Sequence, residues 1–339
     1  MSALLVVLPS WLGDTVMAEP AMRALRNGVR PTHMASLGRP GLAGVLEGTG
    51  LLDASIEHDM RGIVGPLAAS RALRRVDPRR WDAIVLLPNS VRSALAARLV
   101  PAHRRVGFAT DGRGWLLSQR LPAPARAMPV PAVDWYAELV VKGFNVQVTD
   151  RHPRLRPSQA QRASATAALA GVARPFALLN PGANRADKRW PADRFAAVGR
   201  ALRGRGLEVV VNGGPAERAL TAEVASACGG IDLGPRSKSL GTLVGVLSEA
   251  ALLVTNDTGP RHVAIGLDVP TVSLFGPTDP RWTTIPGARE RRLLGEPFLT
   301  EEEVADRRPK ACRIDRIEIG DVLAAVDAML PPAPDPGQR

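Results

Sequence analysis

The sequence predicts an α/β protein built from two doubly wound parallel sheets that face a cleft. Short, continuous apolar runs such as residues 3–8 are typical of strands buried on both faces. They alternate with stretches of helical periodicity, which is the pattern of a parallel sheet with covering helices. The alternation occurs twice, on either side of a polar, proline-bearing stretch at residues 145–157. We interpret that stretch as an interdomain linker.

The domain boundaries follow from this linker. A chain of 339 residues is long enough for two domains. We therefore expect a first domain at residues 1–150 and a second at residues 158–330. Residues 331–339 are rich in proline, and we expect a disordered tail there.

The first half opens with a strand, a glycine-bearing loop that contains Gly13 and Asp14, and a helix through residue 26. Asp14 is either a helix cap or a carboxylate presented at the mouth of the sheet. Residues 109–132, rich in Arg, Pro and Gly, indicate a surface loop. The remaining predicted elements are strands at 34–37, 83–87 and 105–108, and helices after Ser90 and at 134–143.

The second half repeats the pattern. Its predicted strands are residues 176–179, 207–211, 251–255 and 269–275, and its predicted helices are 160–169, 190–203, 216–227 and 240–249. Lys188 follows the first of these strands and precedes a helix entry. A lysine there could reach a diphosphate as a mobile point charge, or it could be an ordinary solvated loop residue.

The most informative stretch lies at residues 252–264, where an apolar run ends in Asn256-Asp257-Thr258-Gly259 and a helical pattern begins. Asp257 or Thr258 could cap that helix. Its free amides and dipole would attract a phosphate at the carboxyl end of the sheet, where ligands bind. Beside that anion, Asp257 would accept a hydrogen bond from a hydroxyl and His262 would donate one. The alternative is an ordinary capped helix.

The composition restricts the partners. A net charge of +11 favours anionic ligands, nucleic acid or an anionic membrane face, although a GC-rich genome also produces arginine-rich chains. Aromatic residues make up only 4%, which argues against a stacking platform for single-stranded nucleic acid. We therefore expect no nucleic-acid partner. A nucleic-acid-binding protein is an alternative, but only the net charge supports it.

The sequence lacks the motifs of several common classes of enzyme and metal site. The sequence has no Walker A motif, no Gly-x-Ser-x-Gly, no Cys-x-x-Cys and no histidine pair at metal spacing. Cys228 and Cys312 are typical of a reduced, cytosolic compartment. No targeting peptide is visible, and no apolar run approaches the roughly 20 residues needed to span a bilayer.

Four segments, in order, resemble the bacterial lipopolysaccharide heptosyltransferases, which are glycosyltransferase family 9. They are residues 9–14 (PSWLGD), 181–191 (PGANRADKRWP), 256–264 (NDTGPRHVA) and 275–280 (FGPTDP). Each motif alone is weak, and the four in order are a strong signal. The first segment is most similar to the heptosyltransferase II branch.

The resemblance implies a GT-B fold, with an acceptor-side Rossmann-like domain followed by a nucleotide-sugar-binding one. It implies inverting transfer of heptose from ADP-L-glycero-D-manno-heptose to the inner core of lipopolysaccharide. The expected partners are this donor and the anionic lipopolysaccharide acceptor. The expected location is the cytoplasm, peripheral to the inner face of the cell membrane, and no metal or other cofactor is expected.

By the same resemblance, Asp14 takes the place of the general base and Lys188 that of the cation on the donor diphosphate. The implied donor-binding residues are Gly13, Asn184, Asp257, Thr258, Gly259 and His262. Arg61 and, with it, Arg71, Arg74 and Arg75 are candidate contacts to the anionic acceptor, and the alternative for each is a solvated helix arginine. The chain departs from the family pattern at Ala183-Asn184 and at Pro260-Arg261, where Arg261 could add a phosphate contact.

Other functions remain open at this point. A related GT-B sugar transferase or a nucleotide-sugar epimerase could serve another surface glycan. A non-catalytic ADP-sugar-binding protein would bind the donor without turning it over.

Overall fold

The structure is a computed structural model that describes residues 3–124, 128–237, 239–300 and 302–330. The tail expected at residues 331–339 lies outside the described residues. The chain divides into two compact units. The first comprises the described residues up to Ser158 together with Arg281–Pro286, and the second comprises Gln159–Pro280 together with the described residues from Gly287 onward.

The first unit contains a six-stranded, wholly parallel sheet in the order β3-β2-β1-β4-β5-β6. Its strands are β1 (Ala3–Val7), β2 (His33–Gly38), β3 (Ala54–Glu57), β4 (Trp81–Leu86), β5 (Ala102–Phe108) and β6 (Gln119–Leu121). Its helices are α1 (Leu12–Met17), α2 (Glu19–Val29), α3 (Gly65–Val76), α4 (Val91–Arg98) and α5 (Ala132–Phe144). The direction of winding reverses between β1 and β4, so ligands are expected at the carboxyl ends of these two strands.

The second unit repeats this arrangement, with the order β12-β11-β10-β7-β8-β9. Its strands are β7 (Phe176–Asn180), β8 (Glu208–Val211), β9 (Ile231–Asp232), β10 (Leu252–Asn256), β11 (Thr271–Phe275) and β12 (Glu290–Leu294). Its helices are α6 (Gln159–Ala168), α7 (Ala192–Gly204), α8 (Arg218–Cys228), α9 (Leu240–Leu247), α10 (Gly259–Gly266) and α11 (Ile319–Met329). Here the reversal lies between β7 and β10.

Each unit has its own apolar core. The central strands β1, β7, β10 and β11 are buried along their whole length, which explains why their sequences are mainly apolar. One cluster of buried side chains packs around β1 and β4, and another packs around β7, β8 and β10. The predicted α/β class with two doubly wound parallel sheets is confirmed.

The structure differs from the sequence prediction mainly at the sheet edges. Four strands were not predicted, namely β3, β6, β9 and β12, and each is an edge strand of its sheet. β3, β6 and β9 have two to four residues, and β12 begins with three charged residues, so none of them has the apolar run that marks a central strand. Helices α3 and α11 were also not among the predicted elements. Within the described ranges, no helix has the length and apolar character that crossing a membrane requires.

Two local predictions in the first unit were wrong. The predicted loop at residues 9–14 becomes helical at Leu12, so Gly13 and Asp14 lie in the first turn of α1, and Asp14 does not cap it. The predicted surface loop at residues 109–132 contains β6 and a buried arginine, Arg113. Burial lowers the pKa of Arg113 to about 10. Its guanidinium donates to the carbonyls of Phe108 and Pro88 at the ends of β5 and β4.

Candidate active site

In the second unit, two buried asparagines at the reversal of the sheet hold the predicted donor loops in place. Asn180 ends β7 and Asn256 ends β10. The Asn256 side chain donates to the carbonyl of Pro181 over 2.8 Å and accepts from the Trp190 amide over 3.2 Å. It therefore fastens both ends of the loop that carries Lys188 to the end of β10.

Asp257 follows β10 directly and is surrounded by donors. Its Oδ2 accepts a hydrogen bond from the Thr278 hydroxyl over 3.0 Å, and its Oδ1 accepts one from Arg261 Nη1 over 3.3 Å. Lys188 Nζ lies 3.8 Å from Oδ2. The structure thus brings together Lys188 and Asp257, two of the predicted site residues, at the carboxyl end of the sheet.

Arg261 faces the interior of the second unit, so the prediction that it contacts a phosphate is wrong. Its side chain is fully buried and pairs through Nε and Nη2 with the Glu290 carboxylate, over 2.6 and 3.0 Å. The guanidinium carbon also lies 4.9 Å from the centre of the Phe275 ring. Ser273 donates a further hydrogen bond to Glu290 over 2.6 Å. Sequence reasoning could not find Glu290, because it lies on an unpredicted edge strand.

His262 is buried beside this pair. Burial, and secondly the charge of Arg261, hold the pKa of His262 well below its ordinary value, so the ring is neutral. Its Nε2 lies 3.4 Å from Arg261 Nη1, which can only donate. We therefore assign the ring proton to Nδ1, which has no hydrogen-bond partner among the described residues. Nδ1 is itself buried, so His262 could fill the expected donor role only towards a ligand atom that reaches this buried position.

The start of α10 carries no side-chain cap, contrary to the expectation for Asp257 or Thr258. Thr258 occupies the N-cap position, but its hydroxyl contacts the carbonyl of Asn256 at 3.3 Å. The Asp257 carboxylate is engaged by Thr278 and Arg261. Gly259 and Pro260 form the first turn. The amides at this helix start are left without a capping side chain, which suits an anion.

A carboxylate that the sequence analysis missed lies nearby. A Cβ atom built on Gly182 would stand 2.2 Å from the Glu217 carboxylate, so a larger residue at position 182 would displace it. Glu217 Oε2 accepts a hydrogen bond from the Gly214 amide over 2.8 Å, at the end of β8. The Gly213-Gly214 pair was the signal that could have pointed to it. Asn184 is exposed on the neighbouring loop.

In the first unit, Asp14 lies after the end of β1, beside the reversal of the sheet. The Tyr136 hydroxyl on α5 donates a hydrogen bond to Asp14 Oδ1 over 3.1 Å. Burial raises the pKa of Asp14, and the hydrogen bond from Tyr136 offsets only part of this effect. A carboxylate with a raised pKa is a stronger base, which is what proton abstraction requires. Gly13 precedes it in α1 and is half-buried.

The structure does not place Arg61 in a pocket or among the other predicted site residues. It lies between β3 and α3, its side chain is 72% exposed, and it pairs with Asp59 over 2.6 Å. Arg71, Arg74 and Arg75 lie on α3. Within the described ranges, no group of three or more His, Cys, Asp or Glu side chains is arranged to hold a metal ion.

Comparison with known sequences identifies the family. Residues 69–308 match glycosyltransferase family 9 (heptosyltransferase). Lipopolysaccharide heptosyltransferase 2 of Salmonella typhimurium is 26% identical over 299 residues, which cover 83% of this chain and 84% of that protein. Lipooligosaccharide heptosyltransferase 2 of Haemophilus ducreyi is 27% identical over 305 residues, covering 83% and 85%.

Solved structures show the same fold. The glycosyl transferase family 9 protein of Veillonella parvula superposes with a TM-score of 0.82 at 21% identity and covers 97% of both chains. The ADP-heptose lipopolysaccharide heptosyltransferase II of Escherichia coli gives 0.78 at 23% identity and covers 96% of this chain and 98% of that one. The chain therefore belongs to glycosyltransferase family 9, the heptosyltransferase family, and is a glycosyltransferase.

Proposed function

We propose that this enzyme transfers heptose from ADP-L-glycero-D-manno-heptose to the inner core of lipopolysaccharide, with inversion at the anomeric carbon. The observation that carries the proposal is the similarity to lipopolysaccharide heptosyltransferase 2, which extends over 83% of the chain. The residues at the carboxyl ends of the two sheets have the chemistry that such a transfer needs.

The second unit would bind the donor. Its diphosphate would lie at the start of α10, where Thr258 and Gly259 offer main-chain amides, and Lys188 would supply the positive charge. The carboxylate of Asp257 would accept a hydrogen bond from a sugar hydroxyl, and His262 would donate one through Nδ1. Asn184 would complete the donor loop with its amide.

The first unit would supply the base. The acceptor hydroxyl loses its proton to the Asp14 carboxylate while its oxygen attacks the anomeric carbon, and Gly13 would let the backbone approach the donor closely. The bond from that carbon to the phosphate oxygen breaks, and ADP leaves with the electron pair. Lys188 and the amides at the start of α10 stabilise the charge that develops on ADP.

These positive groups supply the leaving-group stabilisation that a metal supplies in other transferases. We therefore expect activity without a metal or another cofactor. The test is turnover in the presence of excess EDTA, which should remain complete. Loss of turnover that Mg²⁺ or Mn²⁺ restores would contradict this expectation.

The acceptor is anionic and lipid-linked, which agrees with the net charge of +11. We propose that the enzyme works in the cytoplasm, peripheral to the inner face of the cell membrane, without a nucleic-acid partner. Arg61 is the proposed acceptor contact, because its exposed guanidinium could exchange Asp59 for an acceptor phosphate.

The test follows ADP release from ADP-heptose with a heptose-deficient lipopolysaccharide acceptor. We expect release that requires the acceptor and falls at least about 10³-fold in Asp14→Asn. Release that survives the substitution would leave the transferase and remove Asp14 as its base. Sugar-nucleotide turnover without any acceptor would indicate an epimerase, and tight binding without turnover would indicate an ADP-sugar-binding protein.

A further inference from the structure

The first unit exposes an unusual set of large apolar side chains. Within the described ranges, ten large apolar residues are exposed, and all ten lie in the first unit. They are Trp11, Ile63, Val64, Leu67, Val76, Val91, Leu95, Leu99, Trp115 and Met128. Single exposed apolar residues are ordinary, but a contiguous group marks an interaction surface.

Helix α4 shows this most clearly. Its inward positions, Ser93, Ala94, Ala96 and Ala97, are buried against the sheet. Its outward positions are Val91, Arg92, Leu95 and Arg98, followed by the exposed C-cap residue Leu99. A surface helix normally turns a polar face outward, with both charges represented. The outer face of α4 instead consists of aliphatic side chains and arginines.

The neighbouring elements continue the same face. Helix α3 packs beside α4, and each also contacts the strand that precedes it, so their outer faces point away from the sheet. Leu67, Arg71 and Arg74 lie on one row of α3, at the spacing i, i+4, i+7. Just before α3, Ile63 is 98% exposed and Val64 is 71% exposed.

A short 3-10 helix, Arg113–Leu116, packs against α4 on its other side and presents Trp115, which is 70% exposed. We define the α3–α4 surface as these outward residues. They are Ile63, Val64, Leu67, Arg71, Arg74, Val91, Arg92, Leu95, Arg98, Leu99 and Trp115.

The charge on this surface has one sign. Helices α3 and α4 contain five arginines and no carboxylate. None of the five forms an ion pair with a carboxylate in the part of the chain that the structure describes. Aliphatic side chains, an exposed tryptophan and unpaired arginines together are the chemistry of the interface of an anionic bilayer. A soluble protein partner would need a matching surface that is both apolar and acidic.

We propose that the α3–α4 surface docks the enzyme on an anionic phospholipid leaflet. The aliphatic side chains and Trp115 enter the headgroup region, and the arginines bind lipid phosphates. This proposal rests on the proposed function in one respect only, namely that the acceptor is carried by a membrane. It assigns the peripheral association to a defined face of the first unit.

The test is flotation of the full-length protein with vesicles, without donor or acceptor. We expect strong binding to vesicles of phosphatidylglycerol and phosphatidylethanolamine, and weak binding to phosphatidylcholine vesicles. Leu95→Gln combined with Leu99→Gln should weaken binding by about tenfold or more. Arg92→Gln combined with Arg98→Gln should weaken it by about 30-fold on the anionic vesicles, and hardly on phosphatidylcholine.

Val76→Gln is the matched control. Val76 is 67% exposed at the end of α3 but outside the α3–α4 surface, so its substitution should leave binding unchanged. All variants should retain the native urea midpoint and the native activity on a lipid-free core oligosaccharide. If the native enzyme lacks that activity, the proposed function fails while the docking result stands by itself.

Three results would overturn the proposal. The first is equal binding of the native protein to both kinds of vesicle, or binding to neither. The second is native-like binding by both double variants. The third is a native dimer that the Leu95→Gln and Leu99→Gln variant dissociates, because a second copy of the chain would then cover the surface.

Discussion

At the scale of single residues, the two candidate sites depend on charged groups held away from water. Asp14 is half-buried with one hydrogen bond from Tyr136, and desolvation raises its pKa. Arg261 and Glu290 form a buried pair whose geometry orients Asp257 and the neutral ring of His262. Burial that is only partly compensated makes the Asp14 carboxylate a stronger base, and full pairing makes Arg261 and Glu290 a rigid support.

Asp14→Asn should abolish activity and yet stabilise the protein at neutral pH. The raised pKa means that the folded state binds this proton more tightly than the unfolded state does. Ionised Asp14 therefore costs stability above its folded pKa, and the cost disappears as the pH falls below the ordinary aspartate range. Urea unfolding of both proteins at several pH values measures this. A variant that is less stable at neutral pH would contradict the assignment.

The same shift predicts the acid limb of the activity profile. The native enzyme should lose kcat/KM as the pH falls through the folded pKa of Asp14, since the protonated carboxyl cannot act as a base. Tyr136→Phe removes the hydrogen bond that lowers this pKa, so the limb should move to higher pH. A pH profile of kcat/KM for both proteins is the measurement, and a limb that moves to lower pH would contradict it.

Glu290→Gln should destabilise the fold by about 3 kcal/mol, because it leaves the buried charge of Arg261 poorly compensated. Adding Arg261→Met removes that charge and should recover most of the loss. The recovered double variant should still bind the donor more weakly, since Asp257 has lost a hydrogen-bond donor. Urea unfolding and the KM for the donor separate the two effects. Equal stability of the single and double variants would be inconsistent with a buried ion pair.

At the scale of elements, central and edge segments obey different rules. Central strands are buried on both faces and have apolar sequences, whereas the edge strand β12 reads Glu-Arg-Arg-Leu-Leu. Helix pairs obey a packing rule of their own. Helices α6 and α9 approach so closely at Gly245 that an added Cβ atom would lie 2.3 Å from the carbonyl oxygen of Gln161.

Gly245→Ala should therefore destabilise the second unit by about 1–3 kcal/mol, because the backbone of α6 would have to move. Gly320→Ala is the matched control, since Gly320 is also helical and nothing lies within 4 Å of its added Cβ atom. That substitution should be neutral or stabilising by up to about 1 kcal/mol. Urea unfolding compares them, and similar effects at the two sites would argue against the close approach.

At the scale of the whole molecule, two units with separate cores carry different parts of the proposed reaction. Saturating ADP should stabilise the native protein by about 2.7 kcal/mol at a hundredfold excess over Kd. Asp14→Asn should retain this stabilisation, because Asp14 belongs to the first unit. Lys188→Ala should lose most of it. Thermal unfolding with and without ADP tests both, and an undiminished shift in Lys188→Ala would remove this lysine from the diphosphate site.

The sequence alone determined the α/β class, the two-part organisation, the central strands, the loops that carry Lys188 and Asp257, and the position of Asp14 shortly after β1. These features depend on local patterns, namely apolar runs and the Gly, Pro and Asp residues that end them. Only the tertiary structure decided the surroundings of those residues. Glu290 reaches Arg261 because β12 pairs in register with β11, and Tyr136 reaches Asp14 from a helix distant in sequence. Such contacts depend on how elements pack, and no local pattern encodes them.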